Sequence, residues 1–154
     1  MTIGEGDMLP DATLIAGDGT PLALAEMRGR PLVLFFYPKA DTPGCTREAS
    51  DFSALSDDFA RAGIGVVGVS RDAPARLTRF AAKHDLTITL ASDAGPLSDA
   101  FGFWGEKKLY GRSFMGMERA TVLIDADGRV ARIWRKVRVA DHAGEVLAAA
   151  RRIA

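Results

Sequence analysis

The chain has 154 residues, 47% hydrophobic and 26% charged, with 20 basic and 20 acidic side chains and a formal net charge of zero. This length and mix fit one globular domain over residues 1–154, large enough to bury roughly 68–70% of its unfolded surface without staples. The balanced charge argues against a polyanionic partner, and no apolar run approaches the ~20 residues that cross a bilayer. Met1 to Asp7 lack the basic and apolar segments of a secretory signal. A single cysteine cannot close an internal disulfide, so a reducing cytoplasm is the expected location.

In chain order, Thr13 to Ala16 and Pro21 to Leu24 flank Gly17-Asp18-Gly19, which predicts a hairpin. Leu32 to Tyr37 is a continuous apolar strand. Phe52, Leu55 and Phe59 recur at helical spacing, which predicts one helix from about Pro43 to Ala62, ended by Gly63. Ile64 to Val69 is a second buried strand. Asp72-Ala73-Pro74 opens another helix with Leu77, Phe80 and Ala81 on one face. Thr87 to Leu90 is a third strand, and Pro96 to Phe101 a short helix. Gly102 to Gly116, rich in glycine, lysine and aromatics, reads as a mobile surface loop beside the site. Ala120 to Ile124 and Arg129 to Trp134 form a hairpin across Asp125-Ala126-Asp127-Gly128, and Asp141 caps a last helix to Ile153. The alternation implies an α/β fold, a mixed central sheet covered on both faces.

The one nucleophile of unusual softness, Cys45, lies between an apolar strand and a helix, in Pro38-Lys39-Ala40-Asp41-Thr42-Pro43-Gly44-Cys45. Pro43 suits a first helical turn, and Thr42 before it should be extended, as an N-cap is, with its hydroxyl turned to the helix start. Free N–H groups and the positive dipole end there favour a thiolate. A small buried hydrophobe is the competing reading of Cys45. His84 and His142 have no ligand spacing and are expected at surface or capping positions rather than on a metal.

The spacing Pro38-x-x-x-Thr42-x-x-Cys45 resembles the active-site signature of the peroxiredoxins, and Tyr37 to Ser50 resembles the bacterioferritin comigratory protein / PrxQ subfamily. The likeness continues through Gly63 to Ser70, Ser92-Asp93, Phe101 to Lys107, Arg119 to Asp125 and Lys136 to Val139, nearly the whole chain. It implies a thioredoxin-like fold with an N-terminal β-hairpin. It also implies a thiol-dependent peroxidase acting on hydrogen peroxide and organic hydroperoxides, without cofactor. The roles that it carries over are Cys45 as peroxidatic nucleophile and Thr42 as hydrogen-bonding partner of peroxide and thiolate. Arg119 would be the guanidinium at the site, Pro38 a shield from water, and the N–H groups of Gly44 and Cys45 the rest of the cradle. By composition alone Arg119 is one of many bases in a basic stretch, most of them solvated. The pair Phe103-Trp104 is expected as a lid over the site.

Many such relatives carry a resolving cysteine five residues after the nucleophile, where this chain has Ser50, or on the following helix near Phe80-Ala81-Ala82, where it has none. A one-cysteine mechanism follows, with an external thiol such as thioredoxin, glutaredoxin or glutathione as reductant. No metal, nucleic-acid or membrane partner is expected, and no exposed apolar stripe, so a monomer, or at most a weak dimer, is predicted. A thioredoxin-type oxidoreductase is disfavoured by the absence of Cys-x-x-Cys. A non-catalytic redox sensor is the other alternative.

Overall fold

The structure, a computed structural model, describes residues 2–154. Among these residues, nine strands and five α-helices form a seven-stranded mixed sheet, its covering layers and a separate two-stranded ribbon. The sheet order is β2 (Pro21–Ala23), β1 (Thr13–Ala16), β5 (Thr89–Ser92), β4 (Gly65–Ser70), β3 (Leu32–Phe36), β8 (Ala120–Ile124), β9 (Val130–Trp134). The middle strands β5, β4 and β3 run parallel, while β1 and β8 flank them antiparallel.

Strand β3 shows why both faces must be covered. Its five residues are all buried. Val33 and Phe35, with Tyr37 just beyond, enter one core under α1 (Pro43–Ala54), α2 (Ser56–Arg61), α3 (Pro74–Lys83) and α5 (His142–Ile153). Leu32, Leu34 and Phe36 enter a second core that includes Leu97 and Phe101 of α4 (Pro96–Phe101). Successive side chains of a strand point to opposite faces, so a central strand is apolar throughout.

Several elements differ from the sequence prediction. The expected single helix over 43–62 is two, parted at Leu55 (φ −98°, ψ 5°). Thr87 docks at the break. Its hydroxyl donates to the Ser53 carbonyl (3.2 Å), and its N–H donates to the Ser53 hydroxyl (3.1 Å). The carbonyl at the end of α1 is thereby taken by a residue distant in sequence, and β5 begins at Thr89 rather than at Thr87. Gly63 does end the second helix, at φ 75°, with Ile64 N–H on Phe59 O (2.9 Å) and Gly63 N–H on Ala60 O (3.0 Å).

The predicted loop over Gly102–Gly116 is instead mostly a hairpin of β6 (Trp104–Leu109) and β7 (Arg112–Met117). Tyr110 (φ 51°) and Gly111 (φ 76°) make a two-residue turn of the left-handed kind that matches strand twist. The expectation of no exposed apolar stripe fails here too, since Leu109, Tyr110, Phe114 and Met115 are all exposed. Phe103 is no lid. It packs on Phe36 and Phe101 (centroids 5.0 and 5.2 Å) in the second core, away from the cluster holding Cys45, and Trp104 lies under the Arg71 guanidinium (3.9 Å). Asp141 precedes the last helix but makes no side-chain cap, its backbone being left-handed (φ 60°).

Candidate active site

The site is built where β3 hands over to α1. Pro38 ends the apolar strand, and the backbone from Pro38 to Thr42 is tied down at both ends of α3. Near the start of α3, Asp72 accepts from Ala40 N–H (2.8 Å) and Arg76 donates to the Ala40 carbonyl (3.1 Å). At its end, Lys83 Nζ and His84 Nε2 lie 2.9 and 2.8 Å from the two oxygens of Asp41. Asp41 is left-handed (φ 65°), an uncommon state for a residue with a Cβ. The His84 hydrogen bond, then Lys83, hold its carboxyl below the ordinary aspartate value.

Thr42 is extended (φ −92°, ψ 155°) and Pro43 opens the helix, as the sequence predicts. Its hydroxyl makes no cap, however; it donates to the Lys39 carbonyl (2.8 Å) and makes no hydrogen bond to Cys45. The donor is used locally, and the oxygen lone pairs are left to accept.

Cys45 stands in the first turn, 1% exposed, as a free thiol. The amides of Gly44 and Cys45 precede the first bond back to the cap, Thr46 N–H to Thr42 O (2.8 Å), and have no intrahelical partner. Arg119, between β7 and β8, brings Nη2 to 3.4 Å from Cys45 Sγ. Its other nitrogen, Nη1, donates to Glu48 Oε1 at 2.8 Å. A Cβ on Gly44 would sit 3.1 Å from Nη2, so glycine is what lets the guanidinium approach the helix start this closely. Pro38 is half-buried at the head of the same loop. Cys45, Thr42, Gly44, Arg119 and Pro38 thus all belong to the neighbourhood of one sulfur or of the loop that leads to it.

Glu48 is the residue that the sequence reading missed. It lies one turn after Cys45, on the same helix face, 1% exposed, with Oε2 unpartnered among the described residues. The Cys45-x-x-Glu48 spacing was the only local sign. Burial pushes its carboxyl up to about 7, against the opposing pull of Arg119. Burial alone would lower the Arg119 guanidinium, but Glu48 and then Cys45 outweigh it and hold the cation charged. In the native state Glu48 keeps a proton that the unfolded chain gives up near 4.5. Stability is therefore full below that value and falls as pH rises toward 7, by roughly 3 kcal/mol. Glu48→Gln is expected to flatten this slope in thermal melts between about pH 4.5 and 8. Parallel curves for the two proteins would show that Glu48 titrates normally.

His142 is a second correction. It is neither exposed nor a cap but 4% exposed, with Nε2 2.8 Å from Thr121 Oγ1. Burial lowers its pKa to about 4, so it is neutral at neutral pH. His84 lies at the C-terminus of α3 on Asp41.

The AhpC/TSA family profile matches residues 5–133. Peroxiredoxin Bcp of Bacillus subtilis is 43% identical over 148 residues, 96% of this chain and 94% of that protein. The chain belongs to the peroxiredoxins of the AhpC/TSA family. Two solved structures place it among the Bcp/PrxQ members. One is the Xanthomonas campestris bacterioferritin comigratory protein, studied for its alkyl peroxide reduction activity, with TM-score 0.89, 41% identity and coverage of 97% of this chain and 98% of that one. The other is the PrxQ of Xylella fastidiosa, with TM-score 0.91, 36% identity and coverage of 97% and 96%. The thioredoxin-like architecture with an N-terminal hairpin is therefore that of the family. In this peroxiredoxin the peroxide is the substrate class and a thiol is the reductant class, and the chain's single cysteine makes it a one-cysteine member.

Proposed function

We propose that Cys45 is the peroxidatic nucleophile, acting on hydrogen peroxide and organic hydroperoxides within a single domain over residues 1–154. The observation that carries the assignment is the guanidinium of Arg119 at 3.4 Å from Cys45 Sγ, at the start of a helix. The thiolate attacks the terminal peroxide oxygen and the O–O bond breaks. Cys45 becomes a sulfenic acid, while the departing oxide takes a proton to leave as water or alcohol. Negative charge grows on that departing oxygen, where Arg119 and the free N–H groups of Gly44 and Cys45 stabilise it. Thr42 accepts the peroxide hydroxyl proton in a hydrogen bond through the lone pairs that its bond to Lys39 leaves free. Pro38 has no N–H and keeps the loop end from drawing water toward the sulfur.

One external thiol then condenses with the sulfenic acid, releasing water and leaving a mixed disulfide. A second thiol breaks that disulfide and restores Cys45. Thioredoxin, glutaredoxin or glutathione is the reductant in this reading, and the enzyme works as a cytoplasmic monomer. No described helix is long and apolar enough to cross a membrane. Peroxide consumption with and without dithiothreitol tests the proposal. Turnover with the thiol supports it, and consumption of only one equivalent per Cys45 identifies a sensor instead.

Ser50 gives a further expectation. It is half-buried on α1, five residues from Cys45. Five helical residues rise about 7.5 Å and do not stack, beyond the usual ~4.4–6.8 Å between bridged Cα atoms. Ser50→Cys is therefore expected to form a disulfide with Cys45 only as the first turns of α1 unwind, after one equivalent of peroxide, and to slow overoxidation. Intact mass after peroxide pulses reads this directly; equal oxygen addition in both proteins would show that the missing thiol does not set the fate of the sulfenic acid.

A further inference from the structure

The hairpin β6–β7 stands apart from the seven-stranded sheet as its own two-stranded sheet. Among the described residues, six large hydrophobic side chains are exposed, and four of them lie here: Leu109 (56%), Tyr110 (95%), Phe114 (46%) and Met115 (57%). So dense a cluster on so short a ribbon marks an interaction surface. Its geometry narrows the partner. Cross-strand pairs share a face, so the pairs Leu109–Arg112 and Lys107–Phe114 lie on one face and Glu106–Met115 and Lys108–Ser113 on the other. Tyr110 is at the tip. The apolar groups thus lie at the tip and on both faces of the ribbon and do not form one flat face. A docked protein covers one face, whereas a fluid apolar medium covers both.

The charges point the same way. Lys108 and Arg112 flank the tip, exposed and with no ion-pair partner among the described residues, while the Lys107 ammonium turns back to the Met117 carbonyl (2.8 Å) at the base of the ribbon. Against these two outward cations the ribbon carries one anion, Glu106, in a chain whose total charge is zero. An apolar tip flanked by two cations matches the boundary of an anionic bilayer, where headgroup phosphates meet acyl chains.

We propose that the β6–β7 hairpin is a docking finger for an anionic membrane surface. It is a peripheral attachment, which the sequence did not foresee. Arg119 follows the end of β7 by two residues, so the Cys45 site lies at the base of the ribbon, about 20 Å from the docking tip along the six residues of β7.

The test is flotation of the whole protein with phosphatidylglycerol vesicles and with phosphatidylcholine vesicles at low salt, paired with hydrogen peroxide turnover in solution. The wild type is expected to float with the anionic vesicles only. Lys108→Ser with Arg112→Ser is expected to weaken binding about twenty-fivefold, since each cation near such a surface is worth roughly fivefold. Tyr110→Ser with Phe114→Ser is expected to weaken it about tenfold or more. Hydrogen peroxide turnover and circular dichroism should stay at wild-type values in both variants, showing that fold and site are intact. Failure to float, equal binding by the variants, or a wild-type dimer in sedimentation that the Tyr110/Phe114 variant loses would each overturn the proposal. Flotation with no turnover in any protein would support the docking finger and remove only the peroxidase reading.

Discussion

Replacing Cys45 by serine is expected to reduce thiol-dependent peroxide removal to the uncatalysed background. The hydroxyl is close in size to the thiol, but serine has no base beside it to make it a nucleophile. Arg119 can still donate to the new oxygen, so the guanidinium keeps its place between α1 and β8. Cys45 is buried among Ala40, Ala49 and the core beneath α1, and a hydroxyl there costs on the order of 1 kcal/mol of stability. For a domain of this length that corresponds to a fall in Tm of roughly 2–4 °C, with far-UV circular dichroism unchanged. A folded Cys45→Ser protein that keeps most of its turnover would remove Cys45 from the mechanism.

The second large effect is at Arg119. Arg119→Met takes away the donor that faces both the sulfur and the departing oxygen. Loss of one such preorganised donor lowers rate by roughly 10²–10³. The fold is expected to survive, because Glu48 is already displaced toward its protonated form by burial and becomes neutral when its cation is gone. Arg119→Lys is expected to recover only part of the rate. A guanidinium offers Nη1 to Glu48 and Nη2 to Cys45 at once, and an ammonium is a point charge without that fork. Second-order rate constants for peroxide, taken from stopped-flow traces of all three proteins, check the order wild type, Lys, Met. Equal constants would place the needed cation elsewhere.

What was readable in advance depended on how local its cause was. The alternation of β3 between two cores follows from Leu32 to Phe36 alone. The extended Thr42, the Pro43 helix start and the Gly63 stop are each set by one or two residues. Arg119 lies 74 residues from Cys45, and nothing in its own surroundings separates it from its basic neighbours; the likeness to a family singled it out. The break at Leu55 coincides with the docking of Thr87 on Ser53, a contact distant in sequence that no periodicity within residues 43–62 reveals. The Thr42 hydroxyl turns back to Lys39 because the left-handed Asp41 folds the loop on itself, a conformation that Lys83 and His84 hold in place from the far end of α3. The β6–β7 ribbon was missed because its apolar groups face solvent on both sides and show no buried stripe.

The two-ended attachment of the Cys45 loop to α3 also makes the site a sieve. Cys45 is 1% exposed, and the strand-to-helix turn just before it is pinned through Ala40 and Asp41. Hydrogen peroxide, with two small oxygen atoms, asks the least movement of that turn. A bulky alkylating agent, a larger hydroperoxide or the thiol of a protein reductant asks for more, and reaches the sulfur as those pins let go. Chemical selectivity in this molecule is thus partly steric, set on a neighbouring helix whose side chains never touch the reacting atoms.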